Sequence, residues 1–262
     1  MAKESPAKPF YSVLILALVC SMLVAGAAVG LRPRQETNRK FDQKKNILRA
    51  AGLYHGQGGQ AEVEKLFQAV ETKIIRLSDG SVVKPAEIEP ATFNQLKAAF
   101  NPETGRALTK EEDQAGLGRR ENYSLVYLVK KNDRLDKVIL PVRGKGLWST
   151  MYGYVALAND LATINGITFY QHGETPGLGG EIENETWQAG WAGKKIHNLQ
   201  GEPVLRVVKG KSSGEESRYQ IDGISGATLT MNGVSNMMSF WFGDHGFKPF
   251  LERYKNRGDL DG

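Results

Sequence analysis

The chain of 262 residues is predicted to be an α+β protein: a single N-terminal transmembrane helix plus a soluble domain with a mostly antiparallel sheet flanked by helices. Three observations predict it. One uncharged apolar run lies between Lys8 and Arg32. Short alternating apolar segments bounded by Gly, Asn and Asp fill the second half, as strands of a half-buried sheet do. Segments of helical spacing come before and after them.

The apolar run, PFYSVLILALVCSMLVAGAAVGL, has 23 residues. As a helix it extends about 34 Å at roughly 1.5 Å per residue, enough to cross a bilayer with modest tilt. The expected organisation is a short cytoplasmic tail (1–9), a transmembrane helix (10–31), a juxtamembrane helix with the first part of the soluble domain (32–122), and the main domain (123–262). A cleaved signal peptide with Ala25-Gly26-Ala27 as its cleavage site is the competing reading. The run is longer than a usual signal core, which favours a retained anchor. Cys20 sits mid-span, where burial accounts for it. Gly26 and Gly30 form a GxxxG pair that suits either close helix approach or a small-residue face toward lipid. Lys3 and Lys8 precede the span, while Arg32, Arg34, Arg39, Lys40, Lys44 and Lys45 follow it. Taken alone, the positive-inside rule places the soluble body in the cytoplasm.

Beyond the span, residues 32–53 read as a helix leaving the membrane, with Gly52 as its stop. Residues 61–70 form a better amphipathic helix. Residues 72–77 read as a strand that turns through Ser78-Asp79-Gly80-Ser81 and returns at Val82-Val83. Residues 90–122 are rich in turn formers and read as a short helix and a loop. Strands are then expected at 123–130 and 137–142, joined at Asn132-Asp133, and at 154–158, 167–172, 204–208 and 219–221. Helices are expected at 181–191, 233–242 and 247–254.

Composition narrows the function. The formal charge of +5 (34 basic, 29 acidic) suits an anionic ligand or a membrane surface, and no basic block with interleaved aromatics marks a nucleic-acid binder. One cysteine excludes an internal disulfide, a CxxC zinc site and a cysteine-ligated iron–sulfur cluster built by this chain alone. His55, His172, His197 and His245 lack metal-ligand spacing. There is no GxSxG elbow, no Walker loop and no GxGxxG after a strand.

Three loops remain as candidates for chemistry: Arg143–Ser149, His172–Gly180 and Asp222–Thr228. Each can be an ordinary tight turn, and Thr228 a plain helix N-cap. Together they suit a planar cofactor bearing a phosphate. Trp148 and Leu178 offer flat apolar surfaces. Amides of the Gly177–Gly180 turn offer donors, and the helix start at Thr228 favours an anion.

The run Asp222-Gly-Ile-Ser225-Gly226-Ala227-Thr228 resembles the Asp-x-x-[Ser/Thr]-Gly-Ala-Thr signature of covalently flavinylated FMN-binding domains. Gly-Lys-Gly-Leu-Trp148 and Glu174-Thr-Pro-Gly-Leu-Gly-Gly-Glu181 lie upstream in the order that family presents them. With LRPRQETNRKFDQKKNILRAAGL (31–53), the resemblance extends over nearly the whole chain to the NqrC family, the FMN-bearing subunits of sodium-translocating NADH:quinone reductases. The sister protein of the Rnf complex shares the flavin motif but is less similar after the span.

The resemblance implies FMN held by a phosphoester on Thr228, delivered from FAD by a flavin transferase. Gly226 and Ala227 would keep the hydroxyl accessible, Ser225 would bond the phosphate or an amide, and Asp222 would fix the turn. Leu229 departs from members with Ser or Thr there, and Thr230 is the lesser attachment candidate. Trp148 and Leu178 would pack near the isoalloxazine, with Glu174, Thr175, Gly177 and Gly179 shaping its rim. Lys209 and Lys211 are either phosphate counter-charges or solvated lysines. No catalytic residue and no metal ligand is implied. The chain would be an electron-transfer subunit, inactive alone, relaying electrons between partner subunits of a membrane redox complex toward quinone. The family places the flavin domain on the periplasmic side of the bacterial inner membrane, against the charge count. The alternatives are an Rnf-type flavin subunit and a non-catalytic anchored binding or assembly module.

Overall fold

The computed structural model describes residues 7–257, so most of the expected tail (1–6) and the C-terminal end of the expected main domain (258–262) lie outside the described residues. The chain divides into two units, one ending at Gln43 and one beginning at Lys44. Helix α1 spans Ala7–Ala50. It is long and apolar enough to cross a membrane, and its most apolar window has no buried residue. The expected transmembrane and juxtamembrane helices are thus one element. Pro33 lies inside it and removes one backbone donor. The helix continues regardless, and Thr37 donates its hydroxyl to the Pro33 carbonyl at 3.1 Å. The helix stops where expected: Gly52 adopts φ 66°, and the amides of Gly52 and Leu53 return to the carbonyls of Arg49 and Leu48 at 2.9 and 2.8 Å. That is a Schellman ending, which favours glycine.

In the second unit, α2 (Gln60–Phe67) precedes β1 (Val70–Arg76) and β2 (Val82–Val83). The expected helix to residue 70 ends earlier, because Val70 already pairs with Val129. Next come α3 (Gln95–Phe100), β3 (Gly105–Ala107) and β4 (Arg119–Glu121). The β3–β4 pair occupies a stretch expected to be a loop; three-residue strands carry too little alternation to be read. The long strands follow: β5 (Tyr123–Lys131), β6 (Arg134–Lys145), β7 (Thr150–Ala158) and β8 (Ile164–Gln171). Asn132 and Asp133 turn at positive φ between β5 and β6, as a two-residue hairpin of type I′ requires.

These strands make one six-stranded sheet in the order β2-β1-β5-β6-β7-β8, with antiparallel neighbours throughout. Residues on either side of position 122 therefore share a single sheet. Both faces are covered, which explains the nearly continuous apolar run of β5. Val138, Leu140 and Val142 of β6 join the main core. The intervening Ile139, also fully buried, points to the opposite face by the pleat. On that second face the end of α1 docks against β8: Thr168 and Asn165 donate to the carbonyls of Asn46 and Ala51, each at 3.2 Å.

The main core is closed by elements after β8. The helix expected at 181–191 is broken into a 3-10 turn (Gly179–Glu183) and α4 (Glu185–Ala189). Asn184 interrupts it by capping α4, accepting from the Thr186 and Trp187 amides. Strands β9 (Arg206–Val208) and β10 (Gln220–Asp222) pair in parallel. Helices α5 (Thr228–Trp241) and α6 (Lys248–Arg257) follow. α5 starts five residues before its expected position, so the Thr228 segment is its first turn. Gly233 lets this helix approach the end of β6, where a Cβ would collide with the Lys145 carbonyl.

Candidate functional site

The sheet carries the three candidate loops to one place. β6 runs on through Lys145, so the first loop shrinks to Gly146–Ser149, and Arg143, expected in the loop, is a buried strand residue. The second loop leaves β8, and its Gly173 amide donates to Ser149 Oγ of the first at 2.6 Å. The third links β10 to α5. Where they meet is a cavity of about 160 Å³, and Trp148, Glu174, Thr175, Leu178, Gly179, Gly226, Ala227 and Thr228 all line it. Leu147, Leu229 and Thr230 complete the wall. Three of the expected residues do not reach it: Ser225, Asp222 and Gly177.

Asp222 works elsewhere. Its carboxylate accepts the Ser212 amide at 2.7 Å and hydroxyl at 2.8 Å, and these bonds hold it below the usual carboxylate range. Its carbonyl accepts the Trp187 indole N–H at 2.8 Å. It therefore fastens the 209–214 loop and the entry to the motif. Ser225 is exposed, and Lys209 and Lys211 are exposed lysines away from the wall.

Thr228 is exposed and is the first residue of α5; the N-cap is Ala227, and no side chain caps the helix. The N-cap alternative for Thr228 is therefore corrected. The amides of Thr228, Leu229 and Thr230 have no backbone acceptor among the described residues. They form the free, positive end of a helix of 14 residues. Two residues on, Thr230 is only 1% exposed and donates its hydroxyl to Glu174 Oε2 at 2.5 Å.

Apolar side chains also line the cavity. Trp148, 65% exposed, is steadied by its indole N–H on Thr175 Oγ1 at 3.1 Å. Leu178, Leu147 and Leu229 are also exposed. The Gly177–Gly180 turn offers fewer donors than expected, since the Leu178 and Gly180 amides already bond the Thr175 carbonyl. Among the described residues the Gly177 and Gly179 amides have no backbone acceptor, and of these two residues Gly179 lines the cavity. Gly226 holds φ 75°, a conformation that side chains disfavour, and brings the motif against Leu178.

Glu174, expected at the rim, lines the cavity as a buried, multiply bonded group. Only 4% exposed, it accepts the amides of Trp148 (2.9 Å) and Ser149 (3.3 Å) on Oε1, and the amide of Leu147 (3.1 Å) and the Thr230 hydroxyl (2.5 Å) on Oε2. Burial alone would raise its pKa, but the Thr230 hydroxyl and the three amides prevail and hold it below the usual value of 4.5. A group depressed on folding contributes stability above its unfolded pKa and loses it as pH falls through the folded one. Denaturant midpoints of the detergent-solubilised protein are therefore expected to fall from about pH 5 to about pH 3, and to fall less steeply in Glu174→Gln. Equal slopes would show that folding does not lower the Glu174 pKa. No local signal in Glu-Thr-Pro-Gly reveals this bonding, because its donors come from a loop and a helix 25 and more positions away. Among the described residues there is no His/Cys/Asp/Glu cluster suited to a metal.

Fold and cavity together define a protein built on an FMN-binding domain: residues 146–242 match the family of that description, and the match takes in all three loops. The chain is 45% identical to the NqrC protein of the Na(+)-translocating NADH-quinone reductase of Yersinia pestis, over 96% of this chain and 94% of that one. With the Pseudomonas aeruginosa counterpart the identity is 44%, over 95% and 96%. The crystal structure of Shewanella oneidensis NqrC superposes with a TM-score of 0.75 at 36% identity, covering 83% of this chain and 99% of that chain. The chain belongs to the NqrC family of Na(+)-translocating NADH-quinone reductase subunits. Proteins of this family are parts of a redox translocase.

Proposed function

We propose that this chain carries FMN covalently on Thr228 and relays electrons between the other subunits of a sodium-translocating NADH:quinone reductase. One observation carries the reading. Of the two threonines at the start of α5, Thr228 is exposed at the unsatisfied end of the helix, whereas Thr230 is buried and engaged by Glu174; the third threonine of the wall, Thr175, already accepts the Trp148 indole N–H.

The residues fit such a group. A phosphoester on Thr228 would sit where free amides and the helix dipole favour negative charge. Trp148 and Leu178 would lie against the ring, and Thr175 keeps the indole in place. At about 160 Å³ the cavity is smaller than the roughly 300 Å³ that encloses a drug-sized ligand. It would grip part of FMN and leave an edge at the surface, as a carrier exchanging electrons with partners needs. FMN bound there supplies the redox chemistry, and the protein holds and orients it. In maturation a flavin transferase would transfer the FMN moiety of FAD to the Thr228 hydroxyl. The hydroxyl gives up its proton, a P–Oγ1 bond forms, the pyrophosphate P–O bond breaks and AMP leaves. The soluble domain would stand on the periplasmic side. The opposing charge count is a weak constraint, because long domains translocate regardless of flanking charge.

The test is direct. The protein is co-expressed with a flavin transferase, extracted from membranes, denatured and run on a gel under ultraviolet light. A fluorescent band is expected, and a dark one rules out covalent flavin. Protease added outside spheroplasts should remove the soluble domain; full protection would place it in the cytoplasm.

A further inference from the structure

We propose that Glu174 is a positioning residue that shapes the rim of the cavity and puts a fixed negative charge in its wall, lowering the potential of the bound flavin. This rests on the FMN reading above.

Three consecutive amides, Leu147 to Ser149, converge on this one carboxylate. Such a concave set of amides is an anion nest, and here the anion belongs to the protein. Because the loop turns its N–H groups inward, the side chains of Leu147 and Trp148 point outward, 44% and 65% exposed. The surroundings are built around the carboxylate. A Cβ on Gly146 would stand 2.5 Å from Glu174 Oε1, and one on Gly179 would collide with Thr230 Oγ1. Glycine at these two positions leaves room for the Glu174 carboxylate and its Thr230 partner.

The carboxylate is also saturated. It has about four lone-pair sites, and four donors occupy them. It has none left for a ligand, so toward a flavin it acts by charge alone. No lysine or arginine lines the cavity, and Glu174 has no ion-pair partner among the described residues. Neutral dipoles offset its charge without cancelling it. An electron added to a ring beside it meets Coulomb repulsion that water screens poorly at a buried site. The four hydrogen bonds keep the group ionised.

The experiment uses the membrane-extracted holoprotein. Gel fluorescence of the wild type comes first, and a dark wild-type band is failure of the FMN reading, not of this one. In fluorescent protein, redox titration is expected to show a positive shift of the flavin midpoint in Glu174→Gln, which removes the charge. Glu174→Asp keeps the charge one methylene short, and its midpoint should stay near the wild type. An unchanged midpoint in Glu174→Gln, or an equal positive shift in both variants, overturns the proposal. If Glu174→Gln does not fold, Glu174→Asp decides alone: a fluorescent band with a wild-type midpoint supports a charge role, and a positive shift overturns it.

Discussion

Thr228→Ala is expected to abolish in-gel flavin fluorescence completely while leaving the fold intact. The loss is total because, among the described residues, Thr228 is the one exposed hydroxyl-bearing residue of the α5 start that lines the cavity. The fold should survive because Thr228 caps nothing; Ala227 is the N-cap, and alanine at the next position is a good helix former. Circular dichroism and the denaturation midpoint should match the wild type. Thr230→Ala is expected to show the reverse profile. Fluorescence remains, but stability drops by about 1–3 kcal/mol, since Glu174 loses a buried donor. If Thr230→Ala goes dark and Thr228→Ala stays fluorescent, Thr230 is the attachment point.

Arg143→Met is expected to cost about 3–5 kcal/mol of stability, the range for breaking a buried ion pair from one side. Arg143 donates to both oxygens of Glu121 at 2.8 and 2.5 Å, with side-chain exposures of 9% and 0%. Gln95 donates to the same carboxylate at 3.1 Å, and the guanidinium lies over the Trp241 ring at 5.5 Å. Removing the arginine strands a buried carboxylate. The double variant Arg143→Met, Glu121→Leu should recover most of the loss, because neither charge is then left unpaired. Urea midpoints of the wild type and the two variants decide it. A double variant no better than Arg143→Met would mean the loss comes from packing against Trp241. The exposed pair Arg206–Glu216, at 2.7 Å, should by contrast contribute no more than about 1 kcal/mol.

The same two residues show what is legible in the chain. Thr228 stands out through a short motif whose spacing is local, with two companion loops in order. Arg143 reads as part of a glycine loop. Its partner Glu121 lies 22 positions away, on a strand too short to show alternation. Helix α1 is recognisable by its apolar run, by the helix expected to leave it at 32–53 and by its end at Gly52; that the two expected segments form one helix with Pro33 inside it is seen only in the structure. The helix expected at 181–191 fails at Asn184, which caps α4 from within the run.

The sequence by itself determined the long apolar run, the long strands with the Asn132-Asp133 hairpin, and the three glycine-containing loops. Each rests on periodicity or turn chemistry contained in a few neighbouring residues. Only the tertiary structure decided that Thr228 stands free while Thr230 is buried, that Asp222 fastens a distant loop, and that Glu174 is a saturated carboxylate inside the wall. Those properties depend on donors brought in from remote positions by the sheet, and a buried polar group is defined by the partners that surround it.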